Sequence, residues 1–178
     1  MAIAAVRAAD PADVPEITRI QAVTWVAAYA DLVPEGAIAA LQGAEAASAW
    51  TAAVSEGVVF VATEGEWTVG LVAAGPADVP ADSPLGPAAW GEIGTLLVEP
   101  RWGRRGHGGR LLAAAAGALR DRGARYGLAW VPEKDDASRR FYTRAGWELD
   151  GTVRALDTGD GVLREVRFTG SLDLELTS

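Results

Sequence analysis

Apolar positions follow two different periodicities along this chain of 178 residues. Spacings of three to four residues predict helices, and these segments are residues 10–29, 34–42, 44–55, 108–122 and 135–145. Short apolar or alternating runs predict strands, and these are residues 2–7, 57–63, 67–74, 90–98, 125–131, 147–154 and 163–176. Residues 75–89 carry four prolines and are predicted to be a loop.

Local signals support several of these boundaries. Asp10 is a good helix N-cap, and Pro11 suits the first helical position. Gly123 and Gly146 follow the last two predicted helices, where glycine commonly ends a helix. Pro100 ends the strand before it, because proline has no N–H to donate to a strand ladder.

The order of the elements predicts the fold class. Antiparallel strands come first, and strand–helix–strand units follow them. This order indicates an α/β fold with a mixed, mostly antiparallel central sheet and helices on both faces. Because the chain has no internal repeat, linker or low-complexity tail, we expect a single domain over residues 1–178.

The charge balance argues against a general nucleic-acid-binding function. Twenty-four acidic and 16 basic residues give a formal net charge of −8, whereas such proteins need a basic face that neutralises phosphates. The basic cluster is small and glycine-rich, and it consists of Arg101, Arg104, Arg105 and Arg110. It suits a few phosphate groups better than a duplex.

Rare and absent residue types exclude further classes. The chain has no cysteine and one histidine, which excludes disulfides and a cysteine nucleophile and argues against a zinc site or a histidine-based triad.

No apolar run approaches the roughly 20 residues of a membrane helix, and the short apolar start does not read as a signal peptide. We therefore expect a cytoplasmic protein without metal, nucleic-acid or membrane partners.

A glycine-rich turn, residues 99–112, joins a predicted strand to a predicted helix. Gly106, Gly108 and Gly109 leave room for backbone N–H groups to point at an anion, and the helix N-terminus adds positive potential. No Gly-Lys-Ser/Thr follows, and the third glycine of a dinucleotide fingerprint would fall at Leu111. Taken alone, the turn fits either a phosphate site or a tight turn packed by its glycines.

Two motifs in the same order resemble the GNAT superfamily of acyl-CoA N-acetyltransferases. Residues 104–109 resemble its pyrophosphate loop, Gln/Arg-x-x-Gly-x-Gly/Ala, with Gly106 and Gly108 at the diagnostic glycines. Residues 140–147, Arg-Phe-Tyr-Thr-Arg-Ala-Gly-Trp, resemble its Phe-Tyr-x-x-x-Gly-Phe signature. The resemblance is good over residues 57–150. It implies the fold of that family, acetyl-CoA as co-substrate and, as a family-level expectation, a homodimer.

The resemblance also implies which residues bind acetyl-CoA. The strand residues that would hold the pantetheine arm are Leu96, Leu97 and Val98, and the N–H of Val98 would polarise the thioester carbonyl. The loop residues that would hold the pyrophosphate are Arg104, Arg105, Gly106, His107, Gly108 and Gly109, with His107 contributing mainly its backbone N–H. Asp135 stands where the family often has an Asn that touches the cofactor arm, and Gly103 stands where it has Gln or Arg.

Acetyl transfer needs a neutral amine, a polarised carbonyl and a proton for the departing thiolate. By the resemblance, Tyr142 is the acid near the sulfur, and Glu92 matches a position often used as a base acting through water. Trp130 stands where some peptide N-terminal acetyltransferases carry a catalytic Glu, so that assignment does not transfer. The residues expected to shape the acceptor cleft are Trp25, Tyr29 and Asp31.

The leading hypothesis is an N-acetyltransferase that moves the acetyl group of acetyl-CoA to a primary amine of a small molecule or protein by direct attack on the thioester. The alternative is a non-catalytic acyl-CoA-binding module of the same fold. In that case Tyr142 is a packed core tyrosine, and Glu92 is a solvated or arginine-paired carboxylate. The sequence does not select the acceptor amine.

Overall fold

The computed structural model of the protein describes residues 2–79, 83–159 and 161–174. Its helices are α1 (Val14–Tyr29), α2 (Glu35–Ala40), α3 (Ala44–Glu56), α4 (His107–Asp121) and α5 (Asp136–Arg144). Its strands are β1 (Ala4–Ala8), β2 (Val58–Glu64), β3 (Trp67–Pro76), β4 (Trp90–Val98), β5 (Tyr126–Pro132), β6 (Glu148–Asp157) and β7 (Val162–Ser171). Pro80, in the predicted loop, and residues 175–176, at the end of the last predicted strand, lie outside the described residues.

The described strands form one seven-stranded sheet in the order β1-β2-β3-β4-β5-β7-β6. Within it, neighbouring strands are antiparallel except for β4 and β5, which run parallel. α4 makes the crossover connection that a parallel pair needs. The predicted α/β fold with a mixed, mostly antiparallel sheet is confirmed.

Helices cover both faces of the sheet. α1 and α3 pack on one face, where Ile17 and Ile20 are completely buried. α4 and α5 pack on the opposite face, where Leu111, Leu112 and Trp147 are buried. Each fully buried Leu or Ile side chain contributes roughly 1.5–3 kcal/mol, so both layers stabilise the sheet between them. Among the described residues, no helix combines the length and apolar composition that crossing a bilayer requires.

An extra residue in β4, Gly94, changes which side chains face each layer. Two successive β3 residues pair with Ile93 and Thr95, so Gly94 has no partner on β3. Beyond such a bulge, each side chain points to the face of the sheet opposite to the one that regular alternation would give. Ile93 and Leu96 therefore face the same helical layer although they are three residues apart, and Leu97 faces the other layer.

β4 and β5 pair over only three positions, the last of which joins Glu92 to Leu128. Both strands continue beyond this pair, β4 to Val98 and β5 to Pro132. The two strands therefore separate in the middle of the sheet, and a cleft opens between them.

The starts of α1 and α4 differ slightly from those predicted. Asp10 accepts a hydrogen bond from the N–H of Ala12, and Asp13 accepts one from the N–H of Asp10. These bonds cap a short 3₁₀ turn, and the α-helix itself begins at Val14. α4 begins at His107, one residue earlier than predicted, so the first helical turn includes more of the glycine-rich segment.

Candidate active site

A cavity lies where β4 and β5 separate, and its walls come from α1, β4, β5, α5 and β7. Leu96, Leu97 and Tyr142, which were predicted to contact the cofactor or to act as the acid, line this cavity. Trp25 and Tyr29, which were predicted on the acceptor side, line it as well. The structure therefore brings residues from both predicted halves of the site to one place.

The edge of β4 that faces the cleft carries backbone N–H groups without a strand partner. The N–H of Glu99 donates to the carbonyl of Val69 on β3 at 2.9 Å. Because successive N–H groups along a strand point to opposite edges, those of Val98 and Leu96 point away from β3. In the described residues β5 pairs with β4 only as far as Glu92, so these two donors face the cleft.

The first turn of α4 is suited to binding an anion. Gly106 occupies the N-cap position with a φ of +79°, in the left-handed region that glycine tolerates. No side chain caps the helix. The first N–H groups of a helix have no intrahelical acceptor, so those of His107, Gly108 and Gly109 are open donors at the positive end of the helix dipole.

The two loop arginines predicted to reach phosphate differ in their surroundings. The Nη1 of Arg105 lies 2.7 Å from Oε1 of Glu64, and its guanidinium stacks 5.0 Å from the ring centre of Trp102. Arg104 has a φ of +63° and forms no hydrogen bond or ion pair with a described residue. Of these two loop arginines, Arg104 is therefore the one whose charge is not paired with a described carboxylate.

His107 is buried, with 1 % of its surface exposed, and its side chain holds the loop in position. Its Nε2 lies 2.8 Å from Oε2 of Glu64, and its Nδ1 lies 3.2 Å from Nη2 of Arg110. Because arginine can only donate, Nδ1 accepts and Nε2 carries the hydrogen, which assigns the neutral tautomer. The hydrogen bond from His107, followed by that from Arg105, holds the pKa of Glu64 below its usual range. These bonds attach the loop to the end of β2.

Gly108 has a packing role that the motif does not reveal. A Cβ at this position would lie 3.1 Å from the ring of Phe141 on α5. A substitution here would therefore disturb the contact between α4 and α5 as well as any approach of a phosphate. At Gly109, the next residue, a Cβ would have no described atom within 4 Å apart from its chain neighbours and the backbone of its own helix.

Tyr142 is 5 % exposed, and its ring is held by aromatic neighbours. It stacks on Trp147 at 5.3 Å and on Phe168 at 5.8 Å, and Phe141 meets it edge to face at 5.1 Å. Its hydroxyl forms no hydrogen bond with a described residue. Burial, followed by the charge of Asp135, raises the pKa of Tyr142 far above its usual value. The phenol therefore stays protonated, as a proton donor must.

Asp135 has a full set of protein partners. Its carboxylate caps α5 by accepting from the N–H of Ser138 at 3.0 Å, and it also accepts from the Ser138 hydroxyl at 2.6 Å. The hydroxyl of Tyr29, at the end of α1, donates to the same carboxylate at 2.6 Å. Burial, followed by this hydrogen bond, raises the pKa of Tyr29. The predicted contact of Asp135 with the cofactor arm stays a prediction.

Glu92 lies at the point where β4 and β5 separate, and it is half-buried. Burial raises the pKa of its carboxyl, and the nearby positive charge of Arg154 counteracts this effect. A backbone hydrogen bond from Asp78 also lowers the pKa, whereas the negative charges of Asp78 and Glu165 raise it. Glu92 does not line the cavity itself, so a role as base requires an intervening water.

The acetyltransferase (GNAT) family matches residues 24–147, more than two thirds of the chain. The chain belongs to the acetyltransferase (GNAT) family. No curated protein matches its sequence.

Three solved structures share its fold. PaiA N-acetyltransferase from Thermoplasma acidophilum, in complex with coenzyme A, superposes with a TM-score of 0.74 at 14% identity, over 93% of this chain and 98% of that one. Ribosomal-protein-alanine N-acetyltransferase from Brucella melitensis also gives 0.74, at 21% identity over 94% and 99%. YncA from Salmonella typhimurium with its cofactor acetyl-CoA gives 0.66, at 20% identity over 98% and 96%.

Several residues of this candidate site were not found from the sequence. Glu64 holds the loop, Ser138 shares the carboxylate of Asp135, and Glu165 lines the cavity. Each acts through a partner that is distant in sequence or through its place in the sheet register, so no local motif marks it. Asp31, by contrast, was expected at the acceptor cleft and does not line the cavity.

Metal ligands were not expected in this GNAT chain. Over the described ranges, no cluster of three or more His, Cys, Asp or Glu side chains is arranged to hold a metal ion.

Proposed function

We propose that the protein transfers the acetyl group of acetyl-CoA to a primary amine of a small molecule or protein. The observation that carries the proposal is the cleft between β4 and β5, which has open backbone donors on one wall and Tyr142 on another. Membership of the GNAT family supports acetyl transfer. The amine acceptor and the direct attack on the thioester are our inference.

In this proposal acetyl-CoA binds with its pyrophosphate at the first turn of α4. Arg104 and the open N–H groups of the turn hold the phosphates. The pantetheine arm runs along Leu96 and Leu97, and the N–H of Val98 donates to the thioester carbonyl. This places the reacting carbon in the cleft and stabilises the negative charge that develops on its oxygen.

The chemistry then needs proton transfers at the amine and at the sulfur. The ammonium group of the acceptor first gives one proton through a water to Glu92, and the neutral nitrogen then attacks the carbonyl carbon and releases its second proton to solvent. The C–S bond breaks, and the thiolate of CoA takes the proton of the Tyr142 hydroxyl. The products are the N-acetylated amine and free CoA, and the two side chains return to their starting states by exchanging the proton through solvent.

Glu92→Gln is expected to lower kcat/KM by about 10²- to 10⁴-fold at pH values between the pKa of the Glu92 carboxyl and that of the amine, the contribution typical of a general base. Burial raises the pKa of the Glu92 carboxyl, so wild-type activity should fall as the pH drops through that raised pKa. The variant cannot titrate and should lack this limb. At high pH the amine loses its own proton, so the deficit should shrink. The pH profile of kcat/KM measures both effects.

The control for this prediction is Glu148→Gln, which alters an exposed carboxylate on β6. It should leave the profile unchanged. If the Glu92→Gln profile also overlays that of the wild type, Glu92 is a structural carboxylate and the base lies elsewhere.

The proposed function is tested by a panel of primary amines, with the release of the CoA thiol as the signal. The alternative, a non-catalytic acyl-CoA-binding module, predicts thermal stabilisation by acetyl-CoA without thiol release for any amine. An N-acetyltransferase should show both stabilisation and amine-dependent release. A protein that acetyl-CoA does not stabilise would contradict both functions.

We further propose that residues 1–178 form one acetyltransferase domain, which is supported by the presence of the first and last described strands, β1 and β7, in the same sheet. Homodimerisation and a cytoplasmic location remain predictions. Sedimentation of the purified protein measures the first of these directly.

A further inference from the structure

The cavity has an aromatic wall on the side of the sheet that carries α1. Trp25 and Tyr29 meet edge to face with their ring centres 5.1 Å apart, and Trp130 on β5 lines the same cavity. Aromatic rings pack well against hydrocarbon groups. This wall lies across the cleft from α5, which carries Tyr142, so it belongs to the half of the cavity that an acceptor would enter.

A buried carboxylate, Glu165 on β7, completes this wall at 8 % exposure. The Nε and Nη2 of Arg154 both approach its Oε1, each at 2.8 Å. Its Oε2 accepts no hydrogen bond from a described residue. This oxygen is not enclosed by the described protein atoms, and it belongs to a residue that lines the cavity, so it is available to a donor that enters there.

Arg154 is fixed by more than this ion pair. Its guanidinium lies 4.3 Å from the ring centre of Trp130. The neighbouring Arg167 pairs with Asp150 at 2.6 Å and lies 5.5 Å from the same ring. Both arginines on this face therefore already have a carboxylate partner, and an anionic acceptor would have to displace one of them.

We propose that Glu165 binds the ammonium group of the acceptor through Oε2, and that the acceptor is a primary amine on an uncharged hydrocarbon or aromatic group. This inference rests on the proposed function. A free amino acid carries a carboxylate next to its amine. That carboxylate would lie close to the carboxylate of Glu165 and near that of Glu92, whose pKa Glu165 already raises. Repulsion between like charges then disfavours free amino acids relative to the corresponding amines.

The test measures binding of 2-phenylethylamine and of phenylalanine, by calorimetry, to protein saturated with CoA. The two compounds differ by one carboxylate. We expect the amine to bind at least about 10-fold more tightly, and Glu165→Gln to weaken amine binding by about 10- to 100-fold, the range for a lost hydrogen bond to a charged group. The affinity for CoA itself should not change.

The matched control is Asp150→Asn. Asp150 is also paired with an arginine beside Trp130, but it does not line the cavity, and its loss should leave amine binding within about twofold of wild type. Equal binding of phenylalanine and 2-phenylethylamine, or unchanged amine binding by Glu165→Gln, would overturn the inference. If binding follows the expected pattern but acetyl-CoA gives no thiol release, the proposed function fails and the assignment of Glu165 stands.

Discussion

Gly109→Glu is expected to fold at least as stably as the wild type and to lose acetyl-CoA affinity by about 10- to 10³-fold. Apart from its chain neighbours and the backbone of its own helix, no described atom lies within 4 Å of the Cβ position of Gly109, so the side chain has room. Glu is a better helix former than Gly, and a carboxylate in the first turn of a helix stabilises it by about 0.3–1 kcal/mol. The same carboxylate repels a pyrophosphate, since two unit charges 4 Å apart interact by about 4 kcal/mol at a dielectric constant of 20.

Gly109→Gln is the matched control, because it has nearly the same shape without the charge. Thermal unfolding reports the stability of each variant, and calorimetry reports its affinity for acetyl-CoA. The difference between Glu and Gln isolates the electrostatic part, and it should decrease with added salt. Acetyl-CoA affinity that is equal in all three proteins would show that the phosphates bind away from the first turn of α4.

Gly108, the neighbouring glycine of the loop motif, is less suitable than Gly109 for this test. The loop motif marks Gly108 as a site where a side chain would obstruct the phosphates. In the structure a Cβ there also approaches Phe141, so a bulky substitution would confuse loss of binding with disturbed packing. The motif predicts that glycine is needed at Gly106 and Gly108, but it gives no signal of the contact between Gly108 and Phe141 on α5.

Most of the helices and strands could be predicted because their signals are local. The strand pattern of residues 90–98 and the glycine after α4 depend on neighbours in sequence, and they agree with β4 and with the left-handed Gly123. The separation of β4 from β5 had no local signal, because strand pairing joins residues such as Glu92 and Leu128 that are far apart in sequence. The bulge at Gly94 was missed for the same reason.

Site residues that belong to a local motif could be predicted from the sequence. Residues that act through a partner distant in sequence were missed. Tyr142 follows from the Phe-Tyr motif, and it lines the cavity. His107 was expected to act mainly through its backbone, but its side chain bonds to Glu64, 43 residues earlier in the chain. Arg154 and Glu165 are brought together by the register of β6 and β7. A single sequence gives no register between strands.

Tyr142→Phe is expected to fold and to bind acetyl-CoA like the wild type, and to lose about 10- to 10⁴-fold in kcat. The change keeps the ring that stacks on Trp147 and Phe168 and removes only the hydroxyl. That hydroxyl has no described hydrogen-bond partner in the protein, so its loss leaves no buried group without a partner and should cost little stability. The expected loss of rate spans the effects of a lost hydrogen bond and of lost general-acid catalysis.

Steady-state kinetics with a good amine substrate and thermal unfolding measure these two properties. Tyr126→Phe is the control, since Tyr126 also packs against a tryptophan, with its ring 5.3 Å from that of Trp90, but lies outside the cavity wall. It should keep the wild-type kcat. Because burial raises the pKa of Tyr142, the phenol stays protonated through the neutral range, and the ratio of wild-type to variant kcat should not depend on pH there. A Tyr142→Phe protein that turns over at the wild-type rate would mean that water or another group protonates the thiolate, and the assignment of Tyr142 as the acid would be wrong.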